Sequence, residues 1–187
     1  MKVKLLVILL IASAVLGAKS TADELTLDRT WIYFDLGKGK LKEKVIIASE
    51  GGVVYEYNQK IYSTIYRVIY QDDREKMIEM PHKYSFHGYG VQVGPVFRKG
   101  KFKLIPSLGV EFGKLTTGEN LIHSDGWFGG TYHWETVNKE TVTFVPISVV
   151  AKYNLTGWIG LRAKASANIH KDYPLYHAEL GLCLGRL

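Results

Sequence analysis

Three residues near the C-terminal end carry the makings of hydrolytic chemistry. Ser166, His177 and Glu179 supply a hydroxyl, an imidazole and a carboxylate. Brought together, the carboxylate orients the imidazole, the imidazole takes the serine proton, and the oxygen attacks an ester. The six histidines, His82, His87, His123, His133, His170 and His177, are a second candidate set. Grouped histidines hold metals or act as general bases. Their spacings here match no metal-ligand motif, so polar loop residues are the plainer reading, and neither metal nor cofactor is expected.

A larger set of charges suggests a different use. Asp35, Glu56, Glu111 and Glu179 can meet Arg67, Lys103, Lys152, Arg162 and Lys164. A buried ion loses several kcal/mol of hydration, so each needs an opposed partner. A salt-bridge network is the structural reading of these nine residues; a proton or ion path is the functional one. Trp127, Phe128, Tyr132 and Trp134 crowd around Gly126, Gly129 and Gly130. Exposed, these aromatics would form a binding surface for a protein or a glycan; packed on one another, they would cap whatever lies beneath.

The elements that must position these groups are strands. Residues 176–187 place Tyr176, Ala178, Leu180, Leu182 and Leu184 on one face and His177, Glu179, Gly181, Cys183 and Gly185 on the other. Residues 102–113 and 158–168 repeat this period of two, which is the strand signal. The spacing predicts eight strands near 29–39, 49–58, 61–71, 85–97, 102–113, 142–153, 158–168 and 176–187. The connections alternate. Short ones fall at 58–60, 98–101 and 154–157; longer ones fall near 40–48, 72–84, 114–141 and 169–175. Within the longest, 131–137 and 140–146 are expected to extend their strands into a hairpin around Asn138-Lys139.

Residues 1–22 stand apart. Lys2 and Lys4 precede an apolar run, Leu5 to Val15, with small residues at Gly17, Ala18 and Ala22. That is the layout of a cleaved secretory signal, which leaves 23–187 as one domain. Cleavage after Ala22 removes three lysines and no acid, so the net charge falls from +6 to +3, too mild to argue for nucleic acid. A single cysteine, Cys183, excludes a disulfide scaffold.

Alternation alone does not say which face is inside. Here the less apolar face carries glycines with a few opposed charges, which suits the crowded lumen of an eight-stranded barrel better than a hydrated exterior. The apolar face then meets lipid, and the fold class is all-β: an eight-stranded antiparallel transmembrane up-and-down barrel. Short periplasmic turns, longer outer loops and termini on the inner side are the habit of bacterial outer-membrane barrels. Tyr57 and Tyr62, Phe97 and Phe102, and Tyr153 and Trp158 flank the short turns like an interfacial girdle, although strict alternation points Trp158 inward. Pro95, Pro106 and Pro146 lack a ladder donor and are expected at bulges or boundaries.

The stretch Thr143-Phe144-Val145-Pro146-Ile147-Ser148-Val149-Val150-Ala151-Lys152-Tyr153 resembles the small outer-membrane β-barrel domains typical of Bacteroidetes. His87-Gly88-Tyr89-Gly90-Val91-Gln92-Val93-Gly94-Pro95 is similar to their Gly-rich fourth strand. The resemblance implies an outer-membrane location, contact with outer-membrane lipid and lipopolysaccharide, and insertion by the barrel assembly machinery. It implies no catalytic residues. Such barrels usually end on an aromatic residue, whereas this sequence ends Gly185-Arg186-Leu187. The expected role is structural, or binding through the loop 114–141, with no open pore. The alternatives are an enzyme acting on lipid A or phospholipid through Ser166, His177 and Glu179, resembling lipid A deacylases in outline, and a small channel.

Overall fold

The fold is described from a computed structural model. It describes residues 26–42, 44–73, 83–126 and 129–186, without the side chains of 123–126 and 129–134. The expected signal segment 1–22, His82, Trp127 and Phe128 lie outside the described residues.

Nine strands follow in order: β1 (Leu27–Leu41), β2 (Lys44–Tyr57), β3 (Ile61–Asp72), β4 (Tyr84–Pro95), β5 (Phe97–Lys99), β6 (Phe102–Gly126), β7 (Gly129–Asn154), β8 (Ile159–Ile169) and β9 (Leu175–Gly185). Each long strand pairs antiparallel with its chain neighbour, β9 returns to β1, and β4 pairs with β6. The sheet therefore closes on itself as an eight-stranded barrel, with β5 as a short continuation of β4. Closure leaves no free edge within the barrel wall, the condition that hydrocarbon imposes on a sheet.

The register fixes the shape. The row of partners starting at Thr30 runs through Tyr55, Ser63, Val93, Leu108, Ile147, Ala167 and Tyr176 and re-enters β1 at Lys40. One circuit thus climbs ten residues of β1. With strands about 4.8 Å apart and a rise of about 3.3 Å per residue, that stagger tilts them roughly 40° from the barrel axis.

The prolines sit where the ladders break. β4 pairs with β6 as far as Val93↔Leu108, and β5 resumes at Phe97↔Leu104. In the gap Pro95 stands opposite Pro106, so the two residues without an N–H share one interruption. Pro146 lies in β7 across from Gly109, where the β6–β7 ladder skips two pairs.

The expected strands are present, with three corrections. β1 and β2 run on to a tight turn after Leu41, so 40–48 is not a long loop. The β6–β7 hairpin turns between Gly126 and Gly129; Asn138 and Lys139 lie mid-strand, paired with Thr117 and Thr116. Trp158 sits in a turn and is exposed, so alternation does not turn it inward.

Alternate residues line a filled interior. Trp31, Tyr33, Tyr62, Tyr66, Tyr70, Phe86, Ile105 and Phe144 are buried there beside charged groups. Outside, Ile32, Phe34, Leu36, Ile65, Leu108, Phe112, Leu161, Leu180 and Leu182 stand exposed in a continuous apolar belt.

Candidate functional site

The lumen is built in layers, each held by a strand register. At the short-turn end, Lys103 and Lys152 are direct partners on β6 and β7. Lys103 Nζ donates to both Glu56 oxygens at 2.7 and 2.6 Å. Lys152 Nζ takes no hydrogen bond and instead lies 3.6 Å from the centre of the Trp31 ring, a cation–π contact. In the middle layer Arg162 is ion-paired with Asp35 and stacks over Tyr33 at 3.9 Å. Lys164 Nζ donates to Glu50 at 2.5 Å, and Tyr33 donates its hydroxyl to the other Glu50 oxygen at 2.6 Å. Toward the loop end, Glu111 accepts from Tyr66 at 2.8 Å, Tyr70 at 3.1 Å and Asn168 at 2.7 Å. Glu179 lies 3.4 Å from His177 Nδ1 and 4.0 Å from Lys164.

Glycines make this packing fit. A Cβ on Gly90 would sit 2.3 Å from Tyr66 Cζ and 2.8 Å from Glu111 Cγ, and one on Gly181 would sit 2.0 Å from Asp35 Oδ1. Both residues face the lumen and leave the volume that an ion pair or a ring occupies.

Of the nine charges expected inside, Asp35, Glu56, Lys103, Glu111, Lys152, Arg162, Lys164 and Glu179 line the lumen. Arg67 does not. It points outward from β3 and is exposed, because Tyr62, Thr64, Tyr66, Val68 and Tyr70 take the inner positions of that strand. Neither face of β3 is plainly apolar, so one charge misdirects the assignment. Glu50 was missed, although it shares parity with Glu56 six residues on. The tyrosines were missed as well. Their inward rings look apolar in a pattern, while their hydroxyls act as donors to carboxylates.

Ser166 and His177 are cross-strand partners, yet they do not form a nucleophile–base pair. The Ser166 hydroxyl donates to Asn168 Oδ1 at 2.9 Å, and His177 Nε2 lies 3.3 Å from the Tyr70 hydroxyl. All three members of the expected triad are buried inside the barrel, away from its outer surface. Asp35, Glu50 and Glu179 bring carboxylate oxygens within 4.8 Å of one another, a spacing that could hold a cation. Arg162 and Lys164 already sit against them.

The other constellation is the β6–β7 ribbon. β4 leaves β6 at Thr117 and β8 leaves β7 at Val145, so the remaining hairpin projects alone beyond the barrel. Residues 135–141 are exposed without exception. The register pairs Trp134 with Leu121 and Tyr132 with His123.

No family profile matches the chain, and no curated protein matches it in sequence. Its structure is similar to small barrels of known fold. Against Ail, the attachment invasion locus protein of Yersinia pestis, the TM-score is 0.56 at 16% identity, covering 84% of this chain and 96% of that one. Against Neisserial surface protein A it is 0.61 at 11% identity, covering 85% and 96%. The N-terminal β-barrel domain of Pseudomonas aeruginosa OprF gives 0.50 at 10% identity, covering 83% and 96%. The chain thus has the fold of the small outer-membrane β-barrels. Ail has also been solved in complex with the heparin analogue sucrose octasulfate.

Proposed function

We propose that this chain is an outer-membrane barrel of the Bacteroidetes type, exported by a cleaved signal at 1–22, which displays the β6–β7 ribbon for binding. The observation that carries the reading is the inversion of its polarity. The wall is closed, its charges are sealed inside, and its outer surface is a belt of exposed large apolar side chains. A protein in water does not expose so large a continuous apolar surface. Short turns then face the periplasm and the ribbon reaches about 30 Å outward, from the rise of a strand over some nine residues.

The ribbon's chemistry narrows its ligand. Across 114–141, Glu119, Asp125, Glu135 and Glu140 outnumber Lys114 and Lys139. A polyanion like the one seen on Ail would be repelled there, so we favour a protein or a neutral glycan held by Tyr132 and Trp134. The Ser166 and His177 geometry lends no support to lipid hydrolysis, and the filled lumen none to a channel.

The test has two stages. The purified chain should need detergent and migrate differently in gels before and after heating. Solubility without detergent would refute the membrane reading. Replacing 118–137 with Asn-Gly should then leave that heat shift intact while abolishing binding of intact cells to protein or neutral-glycan arrays. Unchanged array binding would refute the ribbon's role.

A further inference from the structure

Arg67 is the one charge of the expected network that lies outside the lumen. It faces out of β3, beside Tyr89 on β4 and Gly51 on β2. A guanidinium on a lipid-facing wall has five N–H donors and no water. One row higher, His87 and Lys114 are direct partners across β4 and β6, both outward and exposed. Among the described residues none of these three side chains takes a hydrogen bond or an ion pair. The outward positions of β2, β3, β4 and β6 carry no carboxylate at all, from Val45 to Tyr57, Ile61 to Gln71, Ser85 to Pro95 and Phe102 to Lys114.

We propose that Arg67, His87 and Lys114 form a site on the barrel's outer wall for the phosphate of an outer-leaflet lipid of the lipid A kind. This rests on the membrane reading above. Four features fit the ligand. The three residues lie on successive strands, β3, β4 and β6, spaced about 4.8 Å, so the long Arg67 and Lys114 side chains can reach one headgroup from either side of His87. Arg67 sits roughly 8 Å deeper than His87 along the tilted wall, within reach by snorkelling upward, and its planar fork matches phosphate oxygens in pairs. Gly51 leaves a notch beside it. A Cβ there would meet its nearest atoms at 3.5 and 3.6 Å, so packing does not demand a glycine, and the missing side chain opens room for a headgroup. Tyr89, 58% exposed, offers the ring edge and hydroxyl of an interfacial residue. The site opens onto the lipid side, so the phosphate it takes is a lipid's and not one free in water.

The experiment places the folded barrel in phosphatidylcholine nanodiscs doped with bis-phosphorylated lipid A and measures retained lipid by native mass spectrometry. Arg67→Gln with Lys114→Gln should lower retention about tenfold, as loss of two charge-assisted contacts predicts. Arg67→Lys should recover part of it. Lys60→Gln with Lys101→Gln, at the opposite rim, should leave retention unchanged. Dephosphorylated lipid A should bind wild type no better than the double variant. Heat-modifiable migration checks that each variant is folded. Equal retention by the Arg67/Lys114 variant would overturn the proposal, as would indifference to the phosphates. Displacement of the lipid by millimolar inorganic phosphate would overturn the lipid assignment. Failure of wild type to enter nanodiscs would instead strike the membrane reading itself.

Discussion

Lys103 and Lys152 face each other inside the barrel, and one carboxylate, Glu56, serves that layer. Glu56 also accepts from Trp31 Nε1 at 3.3 Å, and Trp31 in turn stacks under Lys152. Glu56 and Trp31 thus hold two ammonium groups in place. Glu56→Gln removes the counter-charge and leaves both lysines uncompensated. Breaking a buried pair from one side costs about 3–5 kcal/mol, so we expect a loss of that order in urea unfolding from lipid vesicles. Trp31→Leu should cost less, about 1–2 kcal/mol beyond its lost packing, since a desolvated cation–π contact is worth roughly that. A Glu56→Gln barrel as stable as wild type would mean that the lumen layer is hydrated.

The lumen glycines give a second, steric prediction. Gly90→Val places atoms where the Tyr66 ring and Glu111 now meet. Overpacking of this kind costs about 1–3 kcal/mol, and here it also displaces a hydrogen-bonded phenol. The urea midpoint should fall and the Tyr66–Glu111 contact at 2.8 Å should be lost. Gly51→Ala, on the outer face, meets only ordinary contacts and should be close to neutral. Equal effects at the two positions would contradict a tightly filled interior.

Much of this architecture is legible in the sequence, and the exceptions have physical causes. Strict alternation in 102–113 and 176–187 announces two strands and their inner faces, because large apolar groups outside and glycine with charge inside differ sharply. β3 defeats the same rule. Tyrosine is amphipathic, so Tyr62, Tyr66 and Tyr70 can line a polar lumen while Ile61, Ile65 and Ile69 face outward, and Arg67 shares that outer side. Asn138-Lys139 has the residue types of a turn, yet both residues are paired mid-strand with Thr117 and Thr116. A β-ribbon selects its turn by register across twenty-two pairs, and Gly126 and Gly129 close it. Ser166, His177 and Glu179 share the inner face, yet Ser166 bonds to Asn168 and His177 lies against Tyr70. Parity fixes which way a side chain points, whereas Asn168 and Tyr70 decide what it bonds to.

Zwitterionic lipid at high salt isolates the cost of the outward arginine. An arginine on the lipid face of a barrel costs about 2–4 kcal/mol at mid-membrane and 0–1 near the interface. Arg67 lies between these depths, so Arg67→Leu should stabilise the barrel by about 1–2 kcal/mol in pure phosphatidylcholine with its phosphate screened by high salt. Urea midpoints in matched vesicles check this. A destabilised Arg67→Leu barrel would reveal a protein contact for the guanidinium.

The loop 170–174 carries a pH-sensitive clasp outside the barrel wall. The Tyr173 hydroxyl donates to Glu140 on the base of the ribbon, its ring stacks on His170 at 5.4 Å, and Lys42 Nζ lies 4.5 Å above it. The hydrogen bond to Glu140, helped by partial burial, pushes the phenol up to about 12. An ordinary tyrosine ionises near 10. The folded state therefore holds this proton more tightly than the unfolded chain. By linkage, the contact contributes its full stability below pH 10 and loses it as pH rises through about 12. Difference absorption at 295 nm should show a late-ionising component that Tyr173→Phe removes. Glu140→Gln, which replaces the carboxylate by a neutral acceptor, should bring that component down toward 10. If Glu140→Gln leaves the late component where it was, the carboxylate is not what holds the phenol, and the clasp between loop and ribbon is not formed in solution.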